Sequence, residues 1–92
     1  MEKNGLFSQR IRLRHLHTFV AIAQQGTLGS AAETLNLSQP ALSKTLNELE
    51  KLTGARLLDR GSLGAQLNLV GEQILTHAVR VLDDLKTAGQ GR

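Results

Sequence analysis

The chain has no cysteine, no tryptophan and no tyrosine, and only two phenylalanines among its 92 residues. Without cysteine there is neither a disulfide framework nor a thiolate metal site, and the lack fits a reducing compartment. With so few aromatics, Leu, Ile, Val and Ala must build the core, which suits packed helices better than a sandwich of aromatic-rich strands. No apolar run approaches the ~20 residues needed to cross a bilayer. The opening Met1-Glu2-Lys3-Asn4-Gly5-Leu6 lacks the apolar core of a signal peptide. The expectation is a soluble, cytoplasmic protein with no membrane partner. A chain this short holds one small domain with a thin core.

Charge is present but unevenly placed. The net charge is +3, with Lys3, Arg10, Arg12 and Arg14 against Glu2 in residues 1–14, whereas residues 15–92 carry seven basic and seven acidic side chains. A basic arm over 1–12 beside a neutral domain suits an anionic partner. A disordered, solubilising terminus would have the same composition.

Four segments have helical spacing. In residues 13–25, Leu16, Phe19, Val20 and Ala23 form one apolar stripe, and Gly26 can take the left-handed conformation that stops a helix. Thr27 is placed to cap a short helix over 28–35, in which Ala31 and Ala32 allow close helix crossing. Asn36 suits a tight turn. Ser38 then caps a third helix, Pro40 falls in its first turn, and Gly54 ends it after Thr53. Residues 56–60 and 65–67 flank Gly61-Ser62-Leu63-Gly64 and read as a small hairpin. Asn68 caps a last helix running to about 88. At 1.5 Å per residue that helix spans about 30 Å, so part of it projects beyond the core. Ile74, Leu75, Ala78, Leu82 and Leu85 lie on one stripe, too long for so small a domain to cover, and are predicted to pair with a second copy.

Residues 31–52 hold two helices joined by a short turn, the arrangement in which a second helix enters the major groove of DNA. On the third helix Leu42, Leu46, Leu49 and Leu52 face inward. Opposite them lie Gln39, Pro40, Ser43, Lys44 and Asn47, with no acid among them; Glu48 and Glu50 come only further along. Gln can pair with adenine N6 and N7, Lys with guanine O6 and N7, and a Pro ring can pack on a thymine methyl. Free backbone amides around Ser38 attract phosphate. An ordinary amphipathic helix with a solvated polar face has the same periodicity. The small Ala31 and Ala32, the turn at Asn36 and the acid-free helix start favour DNA.

Gly26-Thr27-Leu28-Gly29-Ser30-Ala31-Ala32, Leu37-Ser38-Gln39-Pro40-Ala41-Leu42-Ser43-Lys44, Leu49-Glu50, Gly54, Leu57-Leu58-Asp59-Arg60 and Leu67-Asn68-Leu69-Val70-Gly71 together resemble the signature of LysR-type bacterial transcription regulators. The resemblance covers about residues 13–88. It implies a mainly α fold, a winged helix-turn-helix over 13–67 with a two-stranded wing, followed by a long linker helix over 68–92. It implies a recognition helix over 39–53, with Gln39, Pro40, Ser43 and Lys44 on its base-reading face. Arg60 would be a wing arginine near the minor groove. Thr27, Ser30, Ser38, Asn47, Arg10 and Arg12 complete the expected DNA-binding set. Residues 70–88 of two chains would pair antiparallel on a palindromic operator, with a tetramer open to the full-length protein. A small-molecule effector would be bound only by a C-terminal domain of periplasmic-binding-protein type, and this chain ends where that domain would begin. Such a protein would work in the cytoplasm, on the nucleoid. Lys44 stands where many members have Arg, and the wing tip Ser62-Leu63-Gly64-Ala65 carries no basic residue, which leaves wing insertion open.

Other chemistries find little to use. His15 and His17 are two apart, do not share a helix face, and have no cysteine or carboxylate nearby in sequence to complete a metal set. His15 could donate to a DNA phosphate instead. The glycines between 54 and 71 lack the Gly-Lys-Ser/Thr of a phosphate loop. Ser38 and Ser43 have no general base apart from Lys44 beside Ser43. No enzyme, cofactor or metal is expected. The alternatives are a helical protein–protein interaction module and another winged-helix regulator of MarR type.

Overall fold

α1 (Leu13–Gln25) carries the centre of the core. In this computed structural model, which describes residues 10–61 and 64–90, it buries His15, Leu16, Thr18, Phe19, Ala21 and Ile22. The band is broader than the predicted stripe and turned towards Ile22. Val20 and Ala23 are only half-buried, because α1 is packed by neighbours on several sides rather than one. Gly26 ends it in the left-handed conformation at φ 82°, as its position predicts.

α2 (Leu28–Leu35) and α3 (Gln39–Thr53) follow. Ala31 and Ala32 are buried, and Asn36 is the one non-glycine residue at positive φ among those described. Its short side chain tolerates that conformation. The Leu37 N–H returns to the Ala32 carbonyl at 2.9 Å, closing the turn. Leu42, Leu46 and Leu49 of α3 are buried, while Leu52 is half-buried at the edge.

The hairpin forms from β1 (Leu58–Gly61) and β2 (Gly64–Leu67), antiparallel, with Leu58 opposite Leu67 and Arg60 opposite Ala65. It begins two residues later than predicted. The backbone of Leu57 is engaged elsewhere: its N–H donates to Glu50 Oε2 at 2.8 Å, and its carbonyl accepts from the Asn68 N–H at 3.1 Å. The far end of the hairpin is held by the Ala65 N–H, which donates to the Gly26 carbonyl at 3.2 Å. The predicted wing-tip residues Ser62 and Leu63, and Lys3 of the arm, lie outside the described residues.

α4 (Leu69–Gln90) is capped by Asn68, whose Oδ1 accepts from the Gly71 N–H at 2.8 Å. Gly71 is required by packing, since a Cβ there would meet the Leu57 carbonyl oxygen at 2.2 Å. The helix leaves the core after Leu82, and residues 83–88 are exposed. Two members of the predicted association stripe are corrected. Ile74 and Ala78 are 2% and 0% exposed, inside the domain's own core, because α1 and α4 pack together along this side. Leu75 is half-buried against the core, and only Leu82 and Leu85 extend beyond it.

Candidate nucleic-acid interface

The site is built on the start of two helices. Ser38 Oγ accepts from the Ala41 N–H at 3.1 Å, and Thr27 Oγ1 accepts from the Ser30 N–H at 3.1 Å. Each cap satisfies one donor of the first turn and leaves the neighbouring amides outward. With the leucines of α3 inward, Gln39, Pro40, Lys44 and Asn47 are exposed and Ser43 is half-buried. Gln39 Oε1 lies 3.7 Å from the place a Cβ on Gly29 would take. The start of α3 is therefore seated against the first turn of α2, which brings Gln39 beside the segment of Thr27 and Ser30. Thr27 is exposed and Ser30 half-buried.

The two carboxylates of α3 are both engaged by the protein's own groups. Glu50 accepts from the Leu57 N–H. Glu48 Oε1 meets His15 Nε2 at 3.1 Å and Arg14 at 3.5 Å. The hydrogen bond from His15, followed by the charges of Arg14 and Lys44, holds the Glu48 carboxyl below its ordinary range. His15 itself is a correction. The sequence leaves it open to donate to a DNA phosphate. It is 2% exposed, and its Nδ1 accepts from the Arg12 N–H at 2.8 Å, so both ring nitrogens are engaged inside the protein.

Arg12 stands at the N-cap of α1, exposed, and Arg10 lies exposed in the turn before it. Arg60 lies on β1 opposite Ala65. Sequence reasoning passed over Lys51 and Arg56, which with Asn47 line an open recess at the far end of α3. Lys51 continues the spacing of Lys44 and Asn47, and that spacing would have found it. No group of three or more His, Asp or Glu among the described residues could hold a metal ion. No helix among them is long and apolar enough to cross a membrane.

These features coincide with those of one family. The model of the bacterial regulatory helix-turn-helix proteins of the LysR family matches residues 13–72, and the chain belongs to that family. Its members are transcription regulators rather than enzymes. The chain is 83% identical over 90 residues to the uncharacterised HTH-type transcriptional regulator YdcI of Escherichia coli K12, covering 98% of this chain and 29% of that protein. It thus spans less than a third of that relative's length. Among solved structures, the CbnR DNA-binding domain in complex with DNA superposes with a TM-score of 0.82 at 32% identity, covering 87% of this chain and 92% of that one. The BenM DNA-binding domain on benA site 1 DNA superposes at 0.83 with 31% identity, covering 87% and 90%. The fold is the winged helix-turn-helix with a C-terminal helix.

Proposed function

We propose that residues 13–67 bind double-stranded DNA in a sequence-specific manner, as the DNA-binding part of a transcription regulator, with α3 in the major groove. The observation that carries this is the face of α3. Gln39, Pro40, Ser43, Lys44 and Asn47 form a surface free of acids, while Glu48 and Glu50 are bound to the protein's own groups. A carboxylate pointing at phosphate would oppose binding, and here both are withheld. Gln39 and Lys44 read base edges, Ser43 and Asn47 add hydrogen bonds, and the amides at Ser38, with Thr27 and Ser30, face the backbone. Arg10, Arg12 and Arg60 contact phosphate or the minor groove. The relatives and the DNA-bound neighbours support the reading.

Two copies bind together. A groove of about 450 Å³ between α1 and α4, lined by apolar residues that include Leu13, Val20, Val79, Leu82 and Leu85, takes the α4 of a second chain. This replaces Ile74 and Ala78 in the association surface. A symmetric pair spaces two recognition helices for the two halves of a palindromic operator. In the longer protein further association to a tetramer and an effector-binding domain would follow this segment. Such a regulator acts in the cytoplasm, on the nucleoid.

The test is selection of preferred sites from random duplexes, followed by Gln39→Ala. The variant is expected to lose about 1–3 kcal/mol for the selected site and to relax its preference at one position in each half-site, with nonspecific binding nearly unchanged. Unchanged specific affinity in a folded variant would remove Gln39 from the reading surface.

A further inference from the structure

His15 has neither ring nitrogen left for an outside ligand. It is the third residue of α1 and is buried. Because Nδ1 accepts the Arg12 N–H, that nitrogen carries no proton. The proton is then on Nε2, which donates to Glu48 Oε1 at 3.1 Å. One ring joins the N-cap of α1 to the flank of α3 across 33 residues of sequence. Arg14 approaches the same Glu48 oxygen at 3.5 Å from the side of α1, and Lys44 lies one turn before Glu48 on α3. The carboxylate that α1 grips is thus the helical neighbour of a residue on the DNA-facing surface. The bond at Nδ1 also satisfies a backbone donor just outside the first turn of α1, a position that lacks a partner within the helix.

We propose that His15 is a positioning residue for DNA binding: as the Nε2–H tautomer it ties the start of α1, and with it Arg10 and Arg12, to the flank of the recognition helix through Glu48. The inference rests on the reading of α3 and the basic arm given above. Ile11, between the two arginines, is packed against the core, so fixing the N-cap at Arg12 helps to fix where Arg10 and Arg12 stand relative to the bases being read. Conformational freedom that would otherwise be lost on binding at the N-cap of α1 is already restricted in the free protein.

The experiment compares Glu48→Gln with Glu48→Leu, in the protein bound to a selected duplex and to unrelated duplexes. Both variants remove the negative charge, and only Gln keeps an oxygen for the His15 Nε2–H. Glu48 is partly exposed, so both are expected to fold. The Leu variant is expected to bind every duplex about 3- to 10-fold more weakly than the Gln variant. Its affinity should also fall less steeply with salt, approaching an Arg10→Ala/Arg12→Ala reference. Nitrogen-15 spectra of His15 in the wild type are expected to show a protonated Nε2 and a bare Nδ1. A protonated Nδ1 in the neutral ring overturns the proposal. Equal affinities and equal salt slopes for the two Glu48 variants, with a flattened slope in the arginine reference, overturn the bridge alone. A wild-type slope in the arginine reference overturns the arm's part in DNA binding, and the proposal with it.

Discussion

At the scale of single residues, two glycines make opposite demands. Gly71 lies against the Leu57 carbonyl, and any Cβ there collides with backbone that Asn68 also holds. Gly71→Ala is expected to cost about 1–3 kcal/mol by overpacking, read from denaturant unfolding. Gly29 sits in α2 with only the tip of Gln39 nearby. There, Gly29→Ala is expected to gain up to ~1 kcal/mol of helix propensity. Glu48 gives a pH-dependent expectation. Its carboxyl is held below the ordinary value chiefly by the hydrogen bond from His15. The pairing therefore contributes stability above the pKa of the unfolded chain and loses it as the pH falls through the lower folded value. The stability gap between the wild type and Glu48→Gln should be widest near neutrality and close in acid, as thermal melts at both ends would show. None of this was legible in the sequence. Leu-Arg-His-Leu-His gives no sign that His15 is buried, because the partner that engages its ring is supplied by a different helix. Glu50 likewise reads as a solvated acid until the Leu57 N–H is folded back onto it.

At the scale of elements, the sequence was far more informative, because caps are local chemistry. Gly26, Thr27, Asn36, Ser38, Gly54 and Asn68 mark boundaries through capping bonds that each span no more than four residues. The hairpin was readable as a turn between short extended pieces, but its first paired residue was not, since the backbone before it bonds to two helices. Ser38 separates a cap from a contact. Ser38→Ala is expected to cost about 1 kcal/mol through the lost bond to the Ala41 N–H. Ser38→Asp should keep the cap and the stability while placing a negative charge beside phosphate. Poor DNA binding by a normally stable Asp variant, measured by titration with the selected duplex, is the expected pairing. Equal binding by both would mean that Ser38 does not face the DNA backbone.

At the scale of the whole molecule, the apolar stripe of α4 shows what periodicity leaves out. A stripe tells that something covers it and not what does. Ile74 and Ala78 are covered by the chain itself, whereas Leu85 remains 48% exposed. This divides the helix into a part that holds the domain together and a part free to hold a partner. Ile74→Asp is expected to unfold the domain, because it buries an unpaired charge. Leu85→Asp should leave the circular-dichroism spectrum intact and yield a monomer by sedimentation, with the advantage of a full palindrome over a half-site lost. A dimer in Leu85→Asp would move the association surface elsewhere.

The backbone at Leu57 has a mechanical consequence. Glu50 of α3 grips its N–H, Asn68 at the head of α4 grips its carbonyl, and Gly71 closes over the same spot. The rear of α3 and the head of α4 are thus both tied to the two peptide groups that flank one residue. On the function proposed above, the element that reads bases and the element that meets a second copy are therefore joined directly through Leu57. A rotation of α4 is then expected to carry α3 with it. In the proposed dimer, the distance between two heads on an operator would then be a setting of the joint between the two α4 helices, adjusted as calipers are, at the pivot rather than at the points.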